Sequence, residues 1–218
     1  SPRPEPVTLA AAGIAGADAV LACGGAQAIA AMAYGSGVLP ECDVVVGPGN
    51  RWVTGAKKLV SGRVRIDMLA GPSELVVLAD ATAEAVVAAD LLAQAEHDVD
   101  ALPVLVTPDS ELADAVDAEL AAQLEGLPTA ETARAALDNG FTVEVPHLEA
   151  GVEICDRLAP EHLEVMTVDP EETARACNHY GGLFIGESAA EVLGRYGAGP
   201  NHTLPTGGTA RYTGGLSV

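Results

Sequence analysis

Apolar residues along the chain recur with two alternating periods, one typical of strands and one typical of helices. Short apolar runs predict strands at 43–46, 65–68, 74–79, 103–107, 141–145, 163–167 and 182–185. Apolar positions at helical spacing predict helices at 26–35, 51–60, 82–97, 110–125, 130–138, 147–158, 170–178 and 188–194. The Pro-rich first residues are expected to be coil, and the Gly/Pro/Thr-rich segment 196–215 is expected to be an ordered loop.

This alternation predicts an α/β fold in which parallel sheets carry helices on both faces. We expect Rossmann-like domains of the nucleotide-binding type, incomplete within this chain. A change of composition near 66–73 indicates a boundary, so residues 1–68 are expected to form part of one domain and residues 69–218 a second. The chain opens in Pro-rich coil and stops at Gly-Gly-Leu-Ser-Val without a closing element, so we expect it to be a piece of a longer protein.

The charge of the chain is strongly negative, because 11 Lys and Arg residues stand against 31 Asp and Glu residues, for a net charge of −20. Such a surface repels a phosphate backbone, so nucleic-acid binding is not expected. No apolar run reaches the roughly 18–20 residues of a membrane span, and the first residues lack a signal pattern, so we expect a cytoplasmic protein without a membrane partner. Lysine occurs only at Lys57 and Lys58, which adds the hypothesis of a halophilic source.

The turn Gly47-Pro48-Gly49-Asn50 lies between a predicted strand and a predicted helix. Free backbone N–H groups at such a position can bind a phosphate or a ribose hydroxyl. A Gly-Pro-Gly turn also forms for steric reasons alone. No acidic residue stands at the spacing that completes a standard Rossmann fingerprint, so both interpretations stay open.

Gln94 and His97 are three residues apart near the end of a predicted amphipathic helix, so both project from one face. An amide oxygen and an imidazole nitrogen on one face can share a metal ion, although Gln is an unusual ligand. The alternative is a solvated helix end without a ligand. The pair alone therefore does not decide between a metal site and a surface feature.

Glu161 and His162 follow Ala159-Pro160, which is expected to end a helix and force an extended entry into the next strand. A carboxylate beside an imidazole can form an acid/base pair near neutral pH. Adjacent residues on a strand point to opposite faces, so the pair needs a strand end or a loop to serve one site; otherwise it is a surface Glu-His dipeptide. Asn201-His202 lies in a Gly/Pro-rich loop, which fixes polar residues well enough for binding.

Six segments, taken together and in order, closely resemble histidinol dehydrogenase. The resemblance spans essentially all 218 residues at family-like spacing and covers about half of the family's usual chain, as its central and C-terminal part truncated at both ends. The segments are Gly24-Gly-Ala-Gln-Ala-Ile-Ala-Ala, Val46-Gly-Pro-Gly-Asn50, Ile66-Asp-Met-Leu-Ala-Gly-Pro-Ser-Glu74, Gln94-Ala-Glu-His97, Leu158-Ala-Pro-Glu-His-Leu163 and Pro200-Asn-His-Thr-Leu-Pro205.

The resemblance implies oxidation of L-histidinol to L-histidine through the aldehyde, the last step of histidine biosynthesis. It implies two NAD⁺ in succession and a zinc ion that anchors the substrate. In the implied acid/base pair, His162 takes protons from the alcohol and the hydrated aldehyde, and Glu161 activates the attacking water. Residue by residue, the resemblance further implies zinc ligands at Gln94 and His97, substrate contacts at Ser73, Gln94, His97, His162 and His202, and dinucleotide contacts at Gln27 and Asn50.

Arg195 stands where the family has an aspartate that ligates zinc. A guanidinium only donates hydrogen bonds and repels a cation, so Arg195 cannot take that role. The resemblance places the remaining zinc ligand, a His, and a substrate-binding Glu beyond the end of this chain. It also implies a homodimer in the full-length form, in which the C-terminal part reaches the neighbouring subunit's site. With Gln94 and His97 as the remaining two ligands, we expect weak or no zinc binding by this polypeptide alone.

Three interpretations follow from these residues. The first is a fragment or divergent member of the histidinol dehydrogenase family. The second is a related NAD-dependent dehydrogenase of another polar alcohol, because the acid/base pair is present while one zinc ligand is changed. The third is a non-catalytic α/β module with a degenerate metal site.

Overall fold

A computed structural model of the chain describes residues 3–37, 39–80, 83–194 and 203–213. The chain divides into two compact units, Ser1–Leu69 and Ala70–Val218. Within the described ranges, no helix is both long enough and apolar enough to cross a membrane.

The first unit is small and has a two-stranded parallel sheet. Its elements are α1 (Pro6–Ile14), α2 (Ala26–Tyr34), β1 (Val44–Val45), α3 (Arg51–Val60) and β2 (Arg65–Ile66). Its core is formed by Ile29, Ala33, Val45, Val60 and Val64. The sequence pattern did not predict α1, which follows the Pro-rich start and buries none of its residues. Proline is tolerated in the first helical turn, so Pro6 begins this helix rather than preventing it.

The second unit contains a five-stranded sheet in the order β5-β4-β3-β6-β7, and all four neighbouring pairs are parallel. Its strands are β3 (Glu74–Ala79), β4 (Leu102–Thr107), β5 (Phe141–Glu144), β6 (His162–Met166) and β7 (Gly182–Ile185). Its helices are α4 (Glu84–Ala95), α5 (Ser110–Leu124), α6 (Ala130–Leu137), α7 (Leu148–Leu158) and α8 (Pro170–Ala176). The helix expected at 188–194 is instead a short 3₁₀ turn over Glu191–Gly194.

Both faces of the larger sheet are covered by helices. Leu75 and Val77 of β3 pack into an apolar cluster with residues of α4 and α5. The intervening residues Val76 and Leu78 point the other way and pack with residues of α7 and α8. This alternation is the period-two pattern of a strand that is buried on both sides. The predicted α/β fold with parallel sheets and helices on both faces is confirmed.

Candidate active site at the amino edge of the larger sheet

Polar residues from three segments meet at the amino ends of β3 and β6. These strands are parallel neighbours, with Leu75 opposite His162, so their first residues lie at the same edge of the sheet. Ser73 immediately precedes β3, and Glu161 immediately precedes β6. Ligands of doubly wound folds usually bind at the carboxyl edge of the sheet, so this polar group occupies the opposite edge.

The turn between α7 and β6 aims Glu161 and His162 at this edge. α7 ends at Leu158, and Ala159 has a left-handed conformation with φ 49°. The extended backbone expected at Ala159 from the following proline is wrong, because Ala159 closes the helix by donating its N–H to the Cys155 carbonyl. Among the described residues, Ala159 alone has a positive φ without being glycine. A strained backbone conformation persists only where the surrounding structure enforces it. Here the left-handed turn at Ala159 places Glu161 directly before β6 and makes His162 the first residue of that strand.

Glu161 is held by donors from the start of β3. One of its carboxylate oxygens, Oε2, accepts hydrogen bonds from Ser73 Oγ at 2.7 Å and from the Glu74 backbone N–H at 3.0 Å. The Glu74 carboxylate is held in turn, because it accepts a hydrogen bond from the Gly207 N–H at 2.8 Å. Burial raises the pKa of Glu74, while the N–H groups of Gly207 and Glu161 act in the opposite direction. The carboxylate of Glu161 is thus fixed in position.

His162 is fully buried, and its hydrogen bonds define its tautomer. Its Nδ1 lies 2.9 Å from the Glu74 carbonyl oxygen. A carbonyl only accepts hydrogen bonds, so Nδ1 carries a proton in both the neutral and the protonated ring, and Nε2 is the nitrogen that gains or loses one. Nε2 lies 3.3 Å from Glu191 Oε1, while Nδ1 lies 3.7 Å from Glu161 Oε2. The imidazole therefore sits between two carboxylates with its basic nitrogen towards Glu191.

Three acidic residues connected to the site, Glu191, Glu164 and Asp90, were missed by the sequence reasoning. Glu191 lies on the 3₁₀ turn, and its N–H donates to Glu164 Oε1 at 2.8 Å. Glu164 is buried on β6, and a hydrogen bond joins its side chain to that of Asp90. Burial, together with the charges of Asp90 and Glu191, raises the pKa of Glu164 to about 8. A sequence signal existed, because Glu164 falls two residues after His162, at a core-facing position of a strand.

Gln94 and His97 lie at the end of α4 in different surroundings. Gln94 belongs to the buried face of the helix, and its Nε2 is buried without a hydrogen-bond partner. His97 follows the helix and is exposed, and its N–H donates to the Gln94 carbonyl at 3.2 Å. A buried amide without a partner costs free energy, so Gln94 fits a position that a ligand completes. In the described part of the chain, no group of three or more His, Cys, Asp or Glu side chains is placed to hold a metal ion.

The two residues implied to contact the dinucleotide lie in the first unit. Asn50 is the N-cap of α3, and its Oδ1 accepts hydrogen bonds from the N–H groups of Trp52 and Val53. Gln27 is exposed in the first turn of α2. The amide NH₂ of Asn50 and the whole side chain of Gln27 thus have capacity for a ligand. His202 and Arg195 lie outside the described residues, so their roles stay predictions.

The fold and the site define a class of protein: an α/β protein with a buried carboxylate–imidazole pair at the amino edge of its sheet. The family model of histidinol dehydrogenase matches residues 1–218, and the chain belongs to the histidinol dehydrogenase family.

The relatives support this membership over the whole chain. The histidinol dehydrogenase of Thermus thermophilus is 51% identical over 218 residues, which cover 100% of this chain and 53% of the relative. The histidinol dehydrogenase of Geobacillus kaustophilus is 52% identical over 212 residues, which cover 96% of this chain and 50% of the relative. A crystal structure of histidinol dehydrogenase from Elizabethkingia anophelis matches with a TM-score of 0.85 and 38% identity, over 89% of this chain and 46% of that chain. The chain spans about half the length of these relatives.

Proposed function

We propose that this chain forms the acid/base part of an NAD-dependent histidinol dehydrogenase, which oxidises L-histidinol through the aldehyde to L-histidine. The observation that carries the proposal is the arrangement of Glu161 and His162: Ser73 and the Glu74 N–H fix the carboxylate, and the Glu74 carbonyl fixes the tautomer of the imidazole. Such an arrangement suits a positioned acid/base pair.

The roles of the chain's own residues follow from this geometry. His162 Nε2 takes the hydroxyl proton of the alcohol, returns it to the carbonyl oxygen as water adds to the aldehyde, and in the second oxidation takes the proton of the hydrated aldehyde. Between these steps, the Glu161 carboxylate draws a proton from the water that adds to the aldehyde. Bound zinc would supply orientation of the amino alcohol, and two NAD⁺ molecules in succession would each supply a hydride acceptor. We further propose Gln94 and His97 as zinc and substrate contacts, Ser73 and His202 as substrate contacts, and Gln27 and Asn50 as dinucleotide contacts.

The assembly and location of the protein belong to the same proposal. We propose a cytoplasmic homodimer of the longer protein, with a small-molecule substrate and neither nucleic acid nor membrane as partner. The strongly negative charge supports the exclusion of nucleic acid.

The test is an assay of NADH release on the protein that contains this chain, with L-histidinol and with other polar alcohols as substrates. His162→Asn and Glu161→Gln should each lower kcat by about 10²- to 10⁴-fold, the usual contribution of a positioned acid or base. His179→Asn is the matched control, since it makes the same chemical change and keeps the backbone N–H that donates to Asp156. Preference for another alcohol would favour the related dehydrogenase, and no NADH with any alcohol from a folded protein would favour the non-catalytic module.

A further inference from the structure

Glu164 occupies a position where the fold calls for an apolar residue. On β6, His162, Glu164 and Met166 share one face, and Met166 packs there with Leu75 and Val77 of β3. Glu164 is 1% exposed. A carboxyl group buried among apolar neighbours costs free energy, and an apolar side chain of similar size is often neutral or stabilising at such a site. Stability therefore does not explain a glutamate at this position.

The hydrogen bonds of Glu164 lead in two directions. Towards α4, its side chain is hydrogen-bonded to the side chain of Asp90. Two carboxyl groups form such a bond only when a proton lies between them, and one buried oxygen of each, Asp90 Oδ2 and Glu164 Oε2, has no other hydrogen-bond partner. Towards the site, Glu164 Oε1 accepts the N–H of Glu191 at 2.8 Å. Glu164 thus connects α4 to the turn that carries Glu191.

Buried side chains of its own do not anchor that turn. The 3₁₀ turn Glu191–Gly194 contains no buried residue, and Val192 and Leu193 are exposed. Its first residue nevertheless places a carboxylate oxygen 3.3 Å from Nε2 of His162. A carboxylate at this distance stabilises the protonated imidazole only while it stays in place.

We propose that Glu164, held by Asp90, is a positioning residue that fixes the Glu191 turn and so keeps a carboxylate against the basic nitrogen of His162. The effect on turnover rests on the proposed function, whereas the effect on the imidazole does not. Within the described ranges, the carboxyl groups of Glu191 and Glu161 face His162, and the Glu74 carboxyl lies beside them.

The test compares substitutions that keep or remove both hydrogen bonds of Glu164. In Glu164→Gln, the amide oxygen can accept the Glu191 N–H and the NH₂ group can donate to Asp90, so the geometry is kept without a shared proton. Glu164→Met and Glu164→Val lose both bonds while suiting the apolar face. Two apolar variants are used so that one that fails to fold leaves the test intact. Thr173→Val is the control, because it removes another buried side-chain hydrogen bond, to Thr167.

The first readout is the pKa of the His162 imidazole, followed by NMR titration. Glu164→Met and Glu164→Val should lower it by about one unit or more, since a carboxylate moves away from the ring. Glu164→Gln and Thr173→Val should leave it unchanged. If the pKa of His162 is the same in the apolar variants as in the wild type, the proposal is overturned. This readout needs no turnover, so it separates failure of the inference from failure of the proposed function.

The second readout is the kinetics of NADH release. In the apolar variants kcat should fall about 10- to 100-fold with little change in KM, because the carboxylate that stabilises the protonated His162 has moved away. The acid limb of the kcat/KM profile should move to lower pH, since a base with a lower pKa is free at lower pH. Melting temperatures of these variants should fall modestly, since the Asp90 carboxyl group and the Glu191 N–H each lose a partner, so the kinetics are measured well below the melting temperature. A fall in activity that Thr173→Val shares at an equal loss of stability, as in a purely structural role, contradicts the proposal.

Discussion

A buried ion pair in the first unit encloses the turn that precedes α3. Lys57 is 3% exposed, and its Nζ pairs with Asp67 and donates to the Gly47 carbonyl at 2.9 Å. Asp67 accepts the N–H of the same glycine at 2.7 Å and that of Met68 at 2.7 Å. Both polar groups of Gly47 are therefore held by one ion pair. The substitution Lys57→Met keeps the length of the side chain and removes its charge.

The expected loss of stability follows from what the substitution leaves behind. The side chain of Asp67 is 12% exposed, so water replaces little of the missing ammonium. Removing one partner of a buried pair costs about 3–5 kcal/mol, and the two N–H donors that remain on Asp67 place this case near the lower end, at about 3 kcal/mol. For a protein of this size, that loss lowers Tm by roughly 6–12 °C.

The assay is urea denaturation and thermal melting at pH 7, with Lys58→Met as the control. Lys58 is the next residue of the same helix and is exposed, so the same chemical change there should alter the free energy of unfolding by less than about 1 kcal/mol. If Lys57→Met destabilises the protein no more than Lys58→Met does, the ion pair does not stabilise the turn and the reasoning fails.

The ion pair of Lys57 and Asp67 also predicts how the stability of the protein changes at acidic pH. Burial alone would raise the pKa of Asp67, but the hydrogen bonds from Lys57, Gly47 and Met68 outweigh it and hold that pKa below its ordinary value. A carboxyl group with a lowered pKa in the folded state stabilises the protein above its unfolded pKa of about 3.9, and that stabilisation is lost as the pH falls further. The difference in stability between wild type and Lys57→Met should therefore narrow below about pH 4. A difference that stays constant between pH 7 and pH 3 would contradict this linkage.

Three further outcomes are expected. A Cβ on Gly181 would lie 2.5 Å from the Glu161 carbonyl oxygen, so Gly181→Ala should cut turnover about 10-fold or more by shifting Glu161. The control is Gly140→Ala, whose Cβ would lie 2.6 Å from the carbonyl oxygen of Pro103 on β4, a strand that does not pair with β6. This control should cost similar stability and leave turnover intact. Titration calorimetry of the 218-residue chain with zinc should show weak or no binding, and tight one-to-one binding would refute this. With a net charge of −20, melting temperature should drop sharply when salt is removed, and a salt-independent value removes the halophilic hypothesis.

The fold followed from the sequence where the local pattern was strong. The apolar run at 74–79 and the helical spacing at 110–125 predicted β3 and α5 nearly to the residue. The neighbours of β3 were not predictable in this way, because pairing with β6 joins residues about 87 apart in the chain and depends on the whole sheet. The turn at 191–194 was predicted as a longer helix, but it buries no residue that could stabilise further turns.

The candidate site was predictable in part. Glu161 and His162 were identified as adjacent polar residues, and the structure places them at a strand end, where both can face one site. Glu191 gave no sequence signal, since one acidic residue among 31 is not distinctive and its proximity to His162 is a product of the tertiary fold. The assigned roles of these residues in catalysis and binding stay predictions.

The location of the site at the amino edge has an electrostatic consequence. Each crossover of the larger sheet runs antiparallel to the strands, so the carboxyl ends of α4 and α7 both lie at this edge. The carboxyl end of a helix carries a partial negative charge of about half an elementary charge. The backbone itself therefore favours positive charge here, whether on an imidazolium ring, on an amine or on a metal ion. The backbone disfavours phosphate, which prefers the amino ends of helices. The helix ends alone therefore suit this edge to a cationic ligand, apart from any contribution of side chains.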